Sequence, residues 1–191
     1  MASPPFDASK AVTFDLSRGQ IQKDDAEPRV LVSSRALFAL CHSAGADASA
    51  AFARATGEAM GTAIAGRFER SGSDTKGATI EAVVEHLAGE IALAGFGSVS
   101  LERWGRAMVL VVDHGPATTD ADRLLAPLLA AAISRAAKVE ARCVRLAREG
   151  ERARFLITGP HAADKVRDWL SSGVSWGEAL VRLHPAKAGE G

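Results

Sequence analysis

Apolar and small residues recur three and four apart along residues 46–68, the spacing that gathers side chains on one face of a helix. Ala53, Gly57, Gly61 and Ala65 fall four apart and form one stripe. The adjacent ridge carries Phe52, Met60, Ile64 and Phe68. Glycine inside a helix costs up to about 1 kcal/mol relative to alanine. Gly57 and Gly61 therefore predict a close compensating contact: a packed helix, a second subunit or an elongated ligand. Arg54, Glu58 and Arg67 interrupt the apolar run, which excludes a membrane span here.

The same patterning sets out the rest of the chain. Residues 11–16 alternate as a strand, Arg18 and Gly19 turn, and residues 20–22 return. Residues 23–28 read as a polar loop before a short strand over 29–32. Ser33 or Ser34 caps a helix through Leu37, Phe38 and Cys41 that ends near Gly45. A polar loop spans residues 70–77. Thr79 opens a helix through Val83, Val84, Leu87 and Ile91, stopped by Gly95 and Gly97. Residues 98–104 alternate and residues 107–112 are nearly all apolar, predicting a hairpin turned at Gly105 and Arg106. Thr119 starts a helix with a broad Leu124, Leu125, Leu128, Leu129, Ile133 face; Pro127 within it predicts a kink or a late start. A second hairpin turns at Glu149 and Gly150. Cys143 lies inward on one strand and Phe155 on the other, and a slip in parity near Val144 predicts a bulge. Two short helices follow, over 162–170 and 175–183; Ser175-x-x-Glu178 is a capping box for the second. The expected architecture is α+β: a helical layer packed on an antiparallel sheet of two hairpins. Residues 11–184 form the single domain, with loose tails over 1–10 and 185–191.

Composition narrows the function. Lys plus Arg equals Asp plus Glu at 23 each, so no bulk charge draws the chain to nucleic acid or acidic lipid. Cys41 and Cys143 lie in apolar settings, which fits buried thiols in a reducing cytoplasm rather than a disulfide. The N-terminal segment lacks a signal-peptide layout, and no run is long enough to cross a membrane. Much Ala, Arg and Gly with no Tyr suggests a GC-rich bacterial genome.

Candidate chemistry is sparse. His42, His86, His114, His161 and His184 include no i,i+4 pair, and adjacent Cys41 and His42 point about 100° apart on a helix. No metal and no cofactor is expected. Asp113 beside His114 is the best acid–base pair, although the Gly115-Pro116 turn that follows makes a solvated pair the plainer reading. Lys138, Arg142, Arg152 and Arg154 form a basic row, interrupted by Glu140 and without an exposed aromatic to stack on bases. Trp169 and Trp176 read as pins for the terminal helices. No catalytic residues are assigned, and the chain is read as a non-enzyme.

The order of these motifs resembles the 4-vinyl-reductase-type, hydrocarbon-binding domain, which shares the fold of the TRAPP vesicle-tethering proteins. The carriers are Gly57-x-x-x-Gly61, the helix stop at Gly95-Phe96-Gly97 before a hairpin, the apolar run Leu124 to Ile133, Val139-Glu140-Ala141, and Gly150-Glu151 with Arg154-Phe155. The resemblance implies a dimer made through the helical layer and an apolar cavity for a small hydrophobic molecule, without catalysis. Members often carry paired cysteines at the last hairpin; here only Cys143 is near, and Ala153 stands about where the second would fall. Residues 79–116 are also similar to the non-catalytic, ring-forming accessory factor of cellulose synthase. Two expectations follow. The first is a cytoplasmic sensory or regulatory domain, a homodimer or larger homo-oligomer, whose hydrophobic ligand is lined by Phe52, Met60, Ile64, Leu87, Leu125 and Leu129, with Ala53, Gly57, Gly61 and Ala65 at the oligomer interface. The second is a scaffold module with no ligand, in which the same faces bind protein.

Overall fold

The computed structural model describes residues 5–23, 28–72, 79–116 and 118–184. Part of the polar loop at 23–28, most of the loop at 70–77, and the tails at 1–4 and 185–191 lie outside the described residues. The chain opens with a short helix α1 (Ala8–Ala11), then β1 (Val12–Asp15), β2 (Gln20–Lys23) and β3 (Pro28–Arg29). These three strands make a small antiparallel sheet in the order β1-β2-β3. Helices α2 (Ser34–Ala44), α3 (Ala46–Arg70) and α4 (Ile80–Leu93) follow, then the hairpin β4 (Ser98–Trp104) and β5 (Ala107–Asp113). Helix α5 (Thr119–Ala137) leads to the hairpin β6 (Arg142–Glu149) and β7 (Arg152–Thr158), and α6 (Pro160–Ser171) and α7 (Trp176–Leu183) close the fold.

The two hairpins join through β5 and β7 into one antiparallel sheet, ordered β4-β5-β7-β6. The α+β architecture of a helical layer on a two-hairpin sheet is what the sequence pattern predicts. The second face of the sheet is also covered. Leu110, Val112, Cys143, Ala153 and Phe155 point into the core shared with α3, α4 and α5. Val109, Val144, Leu146 and Leu156 point the other way, into a second core closed by α6 and α7. Strand β5 is thus buried on both faces, which accounts for its nearly continuous apolar run.

The caps are those the sequence offers. Ser33, Thr79 and Ser175 each accept a backbone N–H of their helix's first turn. At α5 the cap is Thr118, whose hydroxyl accepts from the Ala121 N–H at 3.1 Å. Helix α5 neither starts late nor stops at Pro127, which lies inside it. The predicted bulge falls at Leu146: Arg145 pairs with Phe155 and Ala147 with Arg154, leaving Leu146 as the extra residue.

Helices α3 and α5 cross closely. A Cβ built on Gly57 would lie 2.2 Å from the Leu128 carbonyl oxygen, and one on Gly61 2.5 Å from that of Ala132. Either distance is impossible for a real methyl group, so these two glycines fix how deep α5 sits. Leu124, Leu125, Leu128, Leu129 and Ile133 of α5 are buried in the core that results. Each contributes about 1.5–3 kcal/mol through burial.

Residues 5–10, expected as part of a loose tail, take a defined place. Asp7 caps α1. The Phe6 ring lies on Gly89 of α4, within 2.4 Å of where a Cβ would stand. The N-terminal sheet is also tied down by charge, since Lys23 and Arg67 both bond the buried carboxylate of Glu90.

Candidate functional site

Two regions stand out. The first is an open groove of about 1440 Å³ between α3, α5, the start of β6 and α6. Its floor is alanine, with Ala55 and Ala59 from α3 and Ala126, Ala130 and Ala131 from α5. Its rim is charged, with Arg54, Glu58, Arg135 and Arg142 among the lining residues. Such a trough leaves an apolar guest in contact with water along its length, whereas small-molecule sites enclose most of the ligand surface.

The second region is interior, where α3 meets α4 under the N-terminal segment. His86 is buried there at 3 % exposure. The Phe68 ring lies 5.0 Å from the imidazole, and the Phe6 ring meets it edge-on at 6.2 Å. Phe6 also receives the Arg67 guanidinium over its face, 4.8 Å from the centroid. Arg67 in turn holds Glu90 at 2.5 Å. The result is a packed aromatic cluster, in which the Phe6 ring covers the bare backbone of Gly89 beside His86 and under the Arg67 guanidinium.

The predicted ligand-lining residues divide. Met60, Ile64, Leu87, Leu125 and Leu129 come together in the core between the helical layer and the sheet, on or beside the helices that carry Phe68 and His86. Phe52 stands apart, 42 % exposed. None of the six lines the open groove. Of the expected oligomer-interface residues, Ala53 is fully buried and Ala65 half-buried. Gly57 and Gly61 meet α5 of the same chain, so the face of the stripe expected to receive a second subunit already has an occupant at both glycines. Sequence reasoning missed Phe6 and His86 as a pair. His86 was visible only as a lone histidine on an apolar helix, and Phe6 as one aromatic in a polar segment.

The acid–base candidates do not assemble. Asp113 accepts two bonds from Arg152, at 2.7 and 3.1 Å, and these hold its carboxyl below the ordinary carboxylate value. His114 turns outward in the left-handed region, with Glu151 3.6 Å from its Nδ1. The basic row is broken as well. Arg152 is paired to Asp113, and Arg154 lies against the Trp176 ring and beside Glu149. Trp176 packs edge-to-face on Trp104 at 4.9 Å, so it pins α7 to the sheet. Burial pushes the Cys143 thiol up to about 12, and Cys41 is buried elsewhere in the core. Among the described residues, no three His, Cys, Asp or Glu side chains are grouped to hold a metal ion, and no helix is long and apolar enough to cross a membrane.

No protein-family model matches the sequence, and neither does any curated protein. The fold does have solved counterparts. The phenol-responsive sensory domain of the transcription activator PoxR, solved with phenol, is similar over 94 % of this chain and 94 % of that one. The TM-score is 0.60 at 15 % sequence identity, so the likeness is one of fold across nearly the whole length of both chains.

Proposed function

We propose that the protein is a non-enzymatic sensory domain that takes up a small hydrophobic molecule in its interior, where α3 and α4 meet under the N-terminal segment. The observation that carries this reading is the near full-length likeness of its fold to a phenol-responsive sensory domain. The resemblance of the sequence motifs to hydrocarbon-binding domains agrees with it. The aromatic cluster at His86 supplies the chemistry. A ring-sized ligand entering there would displace Phe6, stack on Phe68, and offer a hydroxyl to the imidazole. Met60, Ile64, Leu87, Leu125 and Leu129 would take the apolar remainder. Displacing Phe6 loosens the N-terminal segment from α4, which converts occupancy into a change at the surface.

The test is native mass spectrometry of gently purified protein, with thermal melts in phenol and a panel of small aromatics. The expected result is a retained small mass shed on denaturation, or a raised Tm. A ligand at a hundred times its Kd adds about 2.7 kcal/mol to stability. His86→Phe should keep the fold by circular dichroism and lose the response. Bare chain masses and an unmoved Tm across the panel would sink the reading and favour a scaffold without a ligand.

A further inference from the structure

We infer that residues 5–23 form a strap held to α4 by a single lock, so that its two ends, Phe6 and Lys23, release together. Within the strap only Ala11 is buried, and none of its residues belongs to either hydrophobic core. Its hold on the body is therefore concentrated at a few contacts. Two of them fall on successive residues of α4. The Phe6 ring takes the place of a side chain at Gly89, and the Lys23 ammonium bonds the Glu90 carboxylate. A glycine inside a helix is unfavourable on its own account, and the ring seated on Gly89 is what offsets it here.

Arg67 of α3 joins the two ends. Its guanidinium lies over the Phe6 ring, 4.8 Å from the centroid, and its Nη2 donates to Glu90 Oε1 at 2.5 Å. The other carboxylate oxygen, Oε2, accepts from Lys23. One anion thus serves two cations, and all three groups are shielded. Glu90 is 2 % exposed, and the Lys23 and Arg67 side chains 12 % each. An ion pair this dry draws its strength from the low dielectric around it and loses most of that strength when water enters. Lifting Phe6 uncovers the guanidinium, wets Glu90 and weakens the bond to Lys23. Removing Lys23 lets water in beside Glu90 and hydrates the guanidinium, which weakens its hold on the Phe6 ring.

The strap is a switch between two surfaces. Closed, it sets the Phe6 ring edge-on to His86, which is 3 % exposed. Open, it presents His86, the bare backbone of Gly89 and the Glu90 carboxylate together on α4. The β1–β2 hairpin, marginal in water without its support, then loses its order. The lock goes beyond the ligand reading. It is a property of the free chain, and binding at His86 is one way to spring it, so either can fail alone.

Hydrogen exchange and histidine modification of the full chain, with no ligand added, test the lock from both ends. Phe6→Ala should speed exchange at the amides of β1 and β2 by about tenfold or more, although Phe6 precedes both strands. Gly89→Leu, whose side chain takes the ring's place, should do the same from the α4 side. Lys23→Met, at the far end of the strap, should raise the rate at which diethyl pyrocarbonate modifies His86 by a similar factor. The exposed His42 and His114 serve as internal references. In each variant the amides of α5 and β5 should keep their protection, which reports intact cores. Should one variant fail to fold, the other two read the same lock. Folded Phe6→Ala or Gly89→Leu protein with β1 and β2 as protected as in the wild type would overturn the assignment. So would Lys23→Met protein whose His86 stays as slow to react, since Phe6 and Lys23 would then be independent contacts.

Discussion

Cys143 shows how much one residue's setting decides. Its side chain lies in the core, and desolvation alone pushes the thiol up to about 12. The thiolate is the reactive form, and at neutral pH it is essentially absent. Native protein should therefore resist iodoacetamide at Cys143, with alkylation appearing only along the urea unfolding transition. Mass mapping of the labelled peptide checks this, and fast labelling in native buffer would contradict the packing. This much was legible from the sequence, since an alternating strand places Cys143 inward with Ala141. The partners of the charged residues were not. Asp113 and Arg152 lie 39 positions apart, and nothing in local spacing announces that they pair across β5 and β7.

At the scale of elements, the crossing of α3 and α5 governs the core. The four-residue stripe announced a close contact but not its partner, because any small-residue groove fits a helix, a subunit or a ligand equally well. The structure answers with α5. Gly57→Ala should then destabilise the fold, although alanine is the better helix former by about 1 kcal/mol. The added methyl would collide with the Leu128 carbonyl, which is backbone and cannot swing aside. Overpacking of this kind costs about 1–3 kcal/mol. Urea melts of Gly57→Ala beside Gly66→Ala, a helical glycine on α3 facing only the Arg70 side chain, would separate packing from propensity. A Gly57→Ala protein as stable as wild type would mean the helices sit farther apart than described. The covering of both sheet faces was half legible: the run of residues 107–112 had no polar side to give to solvent, yet α6 and α7 read only as short terminal helices.

At the scale of the whole molecule, the N-terminal segment is the part that sequence patterning undervalued. Composition marks residues 1–10 as polar and aperiodic, and periodicity carries no information about a single ring seated on a glycine 83 positions away. The segment bears on the proposed function, because Phe6 fills the slot proposed for the ligand.

The bulge at Leu146 constrains the length of the chain as much as its composition. Residues three apart on a regular strand face opposite ways, yet Arg145 and Arg148 pair with Phe155 and Ala153, which share a face. The extra residue brings both guanidinium groups to the buried Asp122 of α5. Strand β6 therefore behaves like a reading frame. Deleting Leu146 alone would leave Arg145 and Arg148 two apart and still on one face of a regular strand, whereas deleting Leu146 together with Ala147 would set them on opposite faces and leave Asp122 with one partner where it now has two. A deletion scan scored by soluble expression should find the loss of Leu146 alone better tolerated than the loss of Leu146 with Ala147, which breaks the frame.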